Sequence, residues 1–425
     1  MNIPRHIEAY ETKHALSDRQ PVVSELGGIE QVVVIPALAE KDTLLTTLCS
    51  LTRNADADLR RTLVLCVINN RRGHVVSPQE IRNNQETLGY LDALLRGRPE
   101  DIPIADEEGA ARLQEISRRP LRLAYVDASS PGHEMPDKSG GVGTARKIGL
   151  DAALRLFDYR LSGEKLLACL DADTLVEDNY LMAIRNYFQQ ERTAAVVNYK
   201  HQPPLGTRQR LAIASYEIFL RYYVLGLRYA GSPYAFHTIG STMICTANAY
   251  VAVGGMNRRD AAEDFYFLNK LAKFNHVGRI PTTTVYPSAR PSRRVPFGTG
   301  RWISRFLEER EEEWRLYDPR IFLILKRWLQ TMEASPDRDT EVLMTAARGI
   351  DPLLSSYLES QDFYPAWSRV RKNSKHREGL QRHFHCWFDG FKTLKLVHFL
   401  TDHGFSRVSM FRALEDLFGL MGGKE

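Results

Sequence analysis

The predicted fold is decided by the stretch Leu166-Leu167-Ala168-Cys169-Leu170-Asp171-Ala172-Asp173-Thr174. An apolar run that ends abruptly in two carboxylates indicates a buried strand with an Asp-x-Asp pair at its carboxyl end. In open α/β folds, ligands bind at this end of the sheet. The same triplet occurs at 56–58 and at 337–339, but both of those copies lie in polar, loop-like surroundings. Only the copy at 171 is therefore a candidate site.

The composition of the 425-residue chain is that of a folded protein, and its length predicts one large domain with a smaller one. Hydrophobic residues make up 43% and charged residues 26%, which argues against extensive disorder. The net charge of +5 is mild and spread along the chain, so no nucleic-acid partner is predicted. A local basic patch is still compatible with a phosphorylated ligand.

The cysteines predict a reducing compartment. Cys66 and Cys169 lie in apolar, strand-like runs, as does Cys245, and no Cys-x-x-Cys pair occurs, so we interpret them as small core residues. The N-terminus lacks the apolar region of a signal peptide, and no run approaches the roughly 20 apolar residues of a membrane span. A cytoplasmic protein without a transmembrane segment is therefore expected.

Strands and helices alternate through the first half of the chain. A β-branched run at 32–35 indicates a buried parallel strand that ends at Pro36, and a helix-like segment with leucines on one face follows it. Further strands are predicted at 63–68, ending in Asn69-Asn70, and at 121–126. This alternation predicts an α/β fold with a mixed, mostly parallel, Rossmann-like sheet flanked by helices.

A glycine-rich segment, 138–149, leads directly into the next helix. Glycines such as Gly143 permit a close backbone approach, and a helix N-terminus beside Lys and Arg favours an anion such as a diphosphate. A plain loop before a helix explains the pattern about as well. The spacing fits neither the phosphate loop of nucleotide hydrolases nor the dinucleotide fingerprint.

Beyond the Asp pair, strands are predicted at 194–198 and, as a short edge strand, at 282–285. The aromatic-rich segment 213–229 is interpreted as a core helix with a polar edge in preference to an amphipathic helix that makes peripheral membrane contact. Glu263-Asp264 opens a further helix. The carboxylates there are candidates for catalysis or for helix capping.

The segment 287–302 is a basic loop stiffened by prolines, which either grips phosphate or is a solvated connector. Beyond 305 only helical patterns follow. We therefore predict a leader at 1–30 packing on the core, a domain at 31–304 with nucleotide-binding (31–173) and acceptor-binding (174–304) halves, and a C-terminal helical region at 305–425. That region closes over the site, shapes the acceptor pocket or mediates homodimerisation.

Taken in order, these motifs resemble those of a family 2 glycosyltransferase with the GT-A fold, over roughly residues 30 to 285. The motifs are Pro36-Ala37-Leu38-Ala39-Glu40, Asn69-Asn70, Ala145-Arg146-Lys147-Ile148-Gly149, Asp171-Ala172-Asp173, Gly254-Gly255-Met256 and Glu263-Asp264. The resemblance implies a donor that is a UDP- or GDP-linked sugar, bound with Mn²⁺ or Mg²⁺, and an acceptor that the sequence does not identify.

The resemblance also implies roles for single residues. It places Pro36, Ala37, Glu40 and Asn69 at the nucleoside, Arg146 and Gly143 near the diphosphate, and Asp171 and Asp173 on the metal, with Asp264 as the base beside Glu263. Lys147 stands where the family's Ala-Arg-Asn turn has Asn. Arg301-Trp302 is similar to the end of the Gln-x-x-Arg-Trp motif of processive members, but Gly298 stands at the Gln position, so no polymerisation is inferred.

Physical chemistry is compatible with these implications. A divalent cation held by one or two carboxylates completes its shell with water and phosphate oxygens, and it assists departure of the nucleoside diphosphate. An acceptor hydroxyl then needs a base within hydrogen-bond reach, which predicts direct displacement with inversion. A retaining transferase with a small phosphorylated or carboxylated acceptor is one alternative. A nucleotide-binding protein without turnover is another.

Overall fold

The computed structural model describes residues 3–16, 18–23, 25–72, 76–101, 107–291, 298–308, 314–374 and 376–422. Within these ranges the chain forms two compact units. The first contains residues 1–204 and 238–298, and the second contains residues 205–237 and 299–425.

The first unit carries one large sheet with helices around it. Its strands are β1 (Val22–Val23), β2 (Gln31–Ala37), β3 (Thr62–Asn69), β4 (Arg122–Ala128), β5 (Leu166–Cys169), β6 (Leu175–Val176), β7 (Ala194–Tyr199), β8 (Met243–Thr246) and β9 (Val277–Tyr286). Its helices are α1 (Arg5–His14), α2 (Lys41–Thr52), α3 (Asp56–Leu59), α4 (Pro78–Leu95), α5 (Glu107–Ser117), α6 (Val142–Ala153), α7 (Tyr180–Tyr187), α9 (Ala247–Ala252) and α10 (Glu263–Phe274), with α8 in the second unit.

The strand order is β1-β4-β3-β2-β5-β8-β7-β9-β6. The consecutive pairs β4·β3, β3·β2 and β2·β5 are parallel, and so is β7·β9. Strand β1 is antiparallel to β4, and β8 pairs antiparallel with both β5 and β7. The parallel ladders are the longer ones, and β2 and β3 are buried along their whole length, as apolar strands covered on both faces should be. The predicted α/β fold with a mixed, mostly parallel sheet flanked by helices is confirmed.

Two predicted strands have different limits. β2 continues through Pro36 instead of ending before it. On the side of β2 that faces β5, Val34 O accepts a hydrogen bond from Leu170 N at 3.0 Å. Pro36 lies two residues further on and faces the same side. The β5 ladder has ended there, so the N–H that proline lacks has no strand partner to meet. β9 is ten residues long and lies between β7 and β6, so the prediction of a short edge strand at 282–285 was wrong. A register shift between Val197 and Asn198 on β7 accommodates the two halves of β9.

Helix α6 packs against the centre of the sheet. A side chain on Gly149 would collide with Val34 and Val67, so glycine allows α6 to lie close to β2 and β3. Helix α1, in the predicted leader, packs on α9 of the first unit. The cysteines Cys66, Cys169 and Cys245 are buried in β3, β5 and β8, which confirms their interpretation as core residues.

The second unit is helical, apart from the short strands β10 (Arg315–Leu316) and β11 (Val408–Ser409). Its helices are α8 (Thr207–Tyr229), α11 (Thr299–Leu307), α12 (Pro319–Ala334), α13 (Thr340–Ile350), α14 (Pro352–Ser360), α15 (Phe363–Asn373), α16 (Arg377–Trp387), α17 (Gly390–His403) and α18 (Met410–Leu420). In the described ranges, no helix combines the length and apolar character needed to cross a membrane.

The second unit includes α8, which the sequence-based division placed in the 31–304 domain. Helix α8 packs on α12: Tyr222 is buried and donates to Tyr317 O at 2.6 Å, and a Cβ on Gly226 would overlap the ring of Phe322. These large side chains share the second unit's apolar core, which supports the interpretation of α8 as a core helix.

Candidate functional site

The candidate site lies where three neighbouring parallel strands end. Strands β3, β2 and β5 stand side by side, and their carboxyl ends lead to Asn69, Glu40 and Asp171. Parallel strands that end together place the following side chains at one edge of the sheet, where α/β folds bind ligands. The structure thus brings these predicted residues to a single edge.

The Asp pair lies on a turn directly after β5. The turn closes with a bond from Thr174 N to Asp171 O at 3.1 Å. Two side chains fix its backbone: Thr47 Oγ1 donates to Ala172 O at 3.0 Å, and Gln202 Nε2 donates to Asp173 O at 2.8 Å. Because three different segments hold this backbone, the two carboxylates are positioned before any ligand arrives.

A buried chain of charges links Asp171 to the second acidic motif. The guanidinium of Arg146, on α6, pairs with Asp171 through Nη2 and with Glu263 through Nη1. Ser241 also donates to Asp171, at 2.6 Å. Gly240 makes room for this arrangement, since a Cβ there would overlap the Arg146 guanidinium. The predicted convergence of Arg146, Asp171 and Glu263 therefore has a direct geometric basis.

The two acids at the start of α10 are not equivalent. Glu263 is 4% exposed and is paired with Arg146, so it positions that arginine. Oδ1 of Asp264 accepts a hydrogen bond from the backbone N–H of Phe265, at 2.7 Å. Burial raises the pKa of Asp264, and the negative charge of Asp171 acts in the same direction, while Arg146 opposes both. A carboxylate whose affinity for a proton is raised in this way is suited to accept one.

Asp173 faces a different cation. Nη2 of Arg290 lies 3.0 Å from Asp173 Oδ2 and also pairs with Glu40. Burial, and then the charge of Asp171, raises the pKa of Asp173 to about 6, against the opposing effect of Arg290. Glu40 is 8% exposed. Because Arg290 contacts both acids, it links the loop after β2 to the Asp pair.

Asn69 ends β3 with an unpaired acceptor. It is 6% exposed, and among the described residues its Oδ1 has no hydrogen-bond partner. An orphan buried acceptor is costly and marks a place for a ligand N–H group. Asn84 on α4 holds the surroundings in place: it accepts from Ala39 N at 2.8 Å and donates to Asn69 O at 3.2 Å.

Pro36 and Ala37 are the last residues of β2 and are buried at the same edge. Gly143 is buried as well, but its surroundings differ from the predicted open anion site. A Cβ there would lie 2.6 Å from Arg259 O, 2.7 Å from Asn257 O and 2.9 Å from Glu263 Cβ. The glycine therefore serves the packing of α6 against the segment before α10, and its predicted place near the diphosphate stays a prediction.

Lys147 faces away from this edge. It lies 3.0 Å from Asp151 Oδ2 and donates to Tyr10 OH at 2.8 Å. Lys147 thus belongs to a buried network with α1.

Arg301, which the sequence suggests as a further positive charge near the diphosphate, lies on α11 in the second unit, and this role stays a prediction. Of the basic loop, residues 292–297 lie outside the described residues. Among the residues of the loop that are described, Arg290 contacts the site.

The donor set at this edge suits a hard divalent cation. Carboxylate oxygens are the ligands that Mg²⁺ and Mn²⁺ take from proteins, usually one or two, with phosphate and water completing the shell. Within the described ranges, no three His, Cys, Asp or Glu side chains are grouped as metal ligands would be. Two carboxylates such as Asp171 and Asp173 leave room in the shell of such a cation for water and phosphate oxygens.

Sequence reasoning missed Ser241 and Asn84. Each acts across a long sequence separation, Ser241 on Asp171 and Asn84 on Ala39 and Asn69. Serine and asparagine are common in loops and helices, so no local pattern distinguishes these two. Only the placement of the strands brings them to the site.

No protein-family model and no curated protein matches this chain. Similar solved structures exist at low identity. S. aureus TarS 1-349 in complex with UDP-GlcNAc has a TM-score of 0.39 and 13% identity, over 82% of this chain and 93% of that one. The mannosyltransferase PcManGT from Pyrobaculum calidifontis, in complex with GDP-Man and Mn²⁺, has a TM-score of 0.37 and 13% identity, over 98% and 90%. M. tuberculosis glucosyl-3-phosphoglycerate synthase has a TM-score of 0.31 and 14% identity, over 71% and 82%. Likeness at such values identifies neither a substrate nor a reaction.

Proposed function

We propose that this chain is a metal-dependent glycosyltransferase of the GT-A type, which moves a sugar from a nucleoside-diphosphate sugar to an acceptor hydroxyl with inversion. The observation that carries the proposal is the chain of contacts from Asp171 through Arg146 to Glu263, with Asp264 next in sequence. These contacts connect a candidate metal ligand to the residue that precedes a candidate base, which supports the proposal.

The nucleoside is assigned to the ends of β2 and β3. Asn69 Oδ1 lacks a partner among the described residues and is available to an N–H group of the base. Asn84 keeps this end of β3 and the loop at Ala39 in register, so that the base meets a preformed edge. A UDP- or GDP-linked sugar has such N–H groups on its base.

The diphosphate is assigned to the Asp pair. Asp171 and Asp173 would hold Mn²⁺ or Mg²⁺, which when bound supplies a Lewis acid for the leaving group. Arg146 keeps Asp171 oriented through its Nη2 contact, and Ser241 fixes the other carboxylate oxygen. The residues of the site thus fix the position of the diphosphate relative to Asp264.

In the transfer step, Asp264 accepts one proton. Its Oδ1 is engaged by Phe265 N, so Oδ2 is the oxygen that accepts the proton of the acceptor hydroxyl. The acceptor oxygen then forms its bond to the sugar carbon as the bond to the diphosphate breaks, and the electron pair leaves with the diphosphate. The raised pKa of Asp264 favours proton uptake.

A product assay tests the proposal. The protein is incubated with UDP-glucose, UDP-GlcNAc or GDP-mannose and Mn²⁺, with water as the fallback acceptor, and released UDP or GDP is measured. We expect release from at least one donor and its loss with EDTA. If every donor binds without release, the alternative of a nucleotide-binding protein without turnover is correct.

A retaining transferase that acts on a phosphorylated or carboxylated acceptor is the second candidate. Arg290 favours it, since this half-exposed guanidinium beside Asp173 is suited to pair with an anionic acceptor. NMR of the first anomer formed decides between the two. An inverted anomer supports the role of Asp264 as base, and a retained anomer rejects that role.

A further inference from the structure

One guanidinium nitrogen joins two acidic groups at the site. Nη2 of Arg290 contacts Glu40 and lies 3.0 Å from Asp173 Oδ2. The carboxylates are largely shielded, with side-chain exposures of 8% for Glu40 and 20% for Asp173, whereas Arg290 is 42% exposed. The arginine therefore offsets part of the repulsion between two carboxylates at this edge of the sheet.

Of the three partners, the arginine is the most exposed to solvent. Thr43 Oγ1 donates to Glu40 Oε2 at 2.7 Å, and Gln202 holds the backbone of Asp173 at 2.8 Å. Arg290 has a long side chain that is partly in solvent. A rearrangement at this place therefore displaces the guanidinium and leaves the carboxylates where they are.

A divalent cation and the guanidinium compete for Asp173. Both are positive, and like charges a few ångströms apart in a shielded site repel strongly. We propose that Arg290 suppresses binding of a free divalent cation at Asp173 and thereby makes cation binding depend on a diphosphate. This inference rests on the proposed function, because it assigns Asp173 to the metal.

The diphosphate provides phosphate oxygens as new partners for the displaced arginine. A guanidinium binds phosphate oxygens through paired N–H donors, and Glu40 keeps Arg290 beside the site after its contact with Asp173 is lost. Cation and diphosphate then strengthen each other's binding by the same factor, as linkage requires. The consequence is that Mn²⁺ alone binds weakly, whereas Mn²⁺ with a nucleoside diphosphate binds well.

The test measures Mn²⁺ affinity by electron paramagnetic resonance of the free ion, with and without UDP or GDP, in the wild type and in Arg290→Gln. In the variant, Mn²⁺ alone is expected to bind about 5- to 50-fold more tightly, and the factor by which the nucleotide tightens Mn²⁺ binding is expected to fall by a similar amount. Arg290→Lys, which keeps the charge without the planar fork, is expected to lie between the two.

Arg279→Gln is the matched control. It removes one positive charge from β9, where Arg279 bonds Asn198, and should leave Mn²⁺ affinity unchanged. An unchanged or weaker affinity of Arg290→Gln for Mn²⁺ alone, in a protein with normal thermal unfolding, overturns the inference while metal-dependent transfer stands. If the wild type binds no Mn²⁺ with or without UDP or GDP, both the inference and the metal part of the proposed function fall.

Discussion

Helix α6 carries two buried charge clusters on adjacent residues. Arg146 joins Asp171 and Glu263 at the edge of the sheet, and Lys147 joins Asp151 and Tyr10 beneath α1. Both clusters pair a cation with carboxylates out of solvent, so burial and charge do not separate a site from a structural network.

What separates them is whether the carboxylate has capacity left for a ligand. Asp151 is 1% exposed, and its oxygens accept from Tyr10 OH at 2.8 Å, from Tyr250 OH at 2.7 Å and from Leu16 N at 2.8 Å. Asp171 is 33% exposed and lies at the strand ends. The closed cluster, Lys147 with Asp151 and Tyr10, should therefore support stability. The open cluster, Arg146 with Asp171 and Glu263, should support binding and catalysis.

The largest effect is expected from removing a charge from the cluster around Arg146. Asp171→Asn keeps the shape and a hydrogen bond from Ser241 but loses the charge that pairs with Arg146. Donor turnover should fall by about 10²- to 10³-fold, as when one preorganised electrostatic group is removed. Released UDP or GDP in the presence of Mn²⁺ is the readout. Asp56→Asn, in another Asp-x-Asp copy, is the control and should keep full activity.

Asp264→Asn should separate chemistry from donor binding. Without a proton acceptor, transfer should fall by about 10²- to 10⁴-fold, whereas the affinity for the nucleotide sugar should change little. Steady-state kinetics and calorimetry on the same protein provide the two readouts. Asp260→Asn removes an exposed acid four residues upstream and serves as the control. Near-normal turnover of Asp264→Asn would show that another group is the base.

Breaking the closed cluster should cost stability instead. Asp151→Ala leaves Lys147 buried without its counter-ion and removes the acceptor of two tyrosine hydroxyls. A loss of about 3–5 kcal/mol in the free energy of unfolding is expected, because an uncompensated buried charge remains. Denaturant unfolding measures this loss, and turnover per folded molecule should stay near that of the wild type. A specific loss of turnover without destabilisation would assign this cluster to the site.

The smallest effect concerns pH. Burial, and then the charge of Lys147, lowers the pKa of Lys270 to about 8 in the folded protein, from 10.5. Between these values the unfolded chain binds more protons, so stability should rise from pH 8 toward pH 10, by about 1 kcal/mol after solvent screening. Lys270→Met should remove this rise in denaturant unfolding. An identical pH dependence in both proteins would show that Lys270 is normally solvated.

Much of this edge of the sheet was predictable because the signals are local. Apolar runs that end in Asn69 and Asp171 predict strands and the residues at their ends. Glu263-Asp264 is also predicted locally, because the pair opens a helical pattern. Parallel order then brings such ends together. This is why Asn69 and Asp171 lie at the same edge of the sheet.

The remaining features depend on long-range placement. Nothing near Lys147 indicates that it turns toward α1, and nothing in the basic loop shows that Arg290 pairs with Glu40, 250 residues away. The length of β9 was hidden because its threonines and Pro281 do not give an apolar pattern. Such features follow from which surfaces meet, and a single sequence does not record that.

The central claim is that Asp171 and Asp173 bind a nucleotide sugar together with a divalent cation. Calorimetry of the wild type and of Asp171→Asn with UDP-GlcNAc, UDP-glucose and GDP-mannose, in Mn²⁺ and then in EDTA, tests it directly. The account predicts that the wild type binds at least one of these donors in Mn²⁺, and that EDTA or the substitution weakens this binding at least tenfold. Binding that is equal with and without Mn²⁺, or no binding of any of the donors, would contradict it.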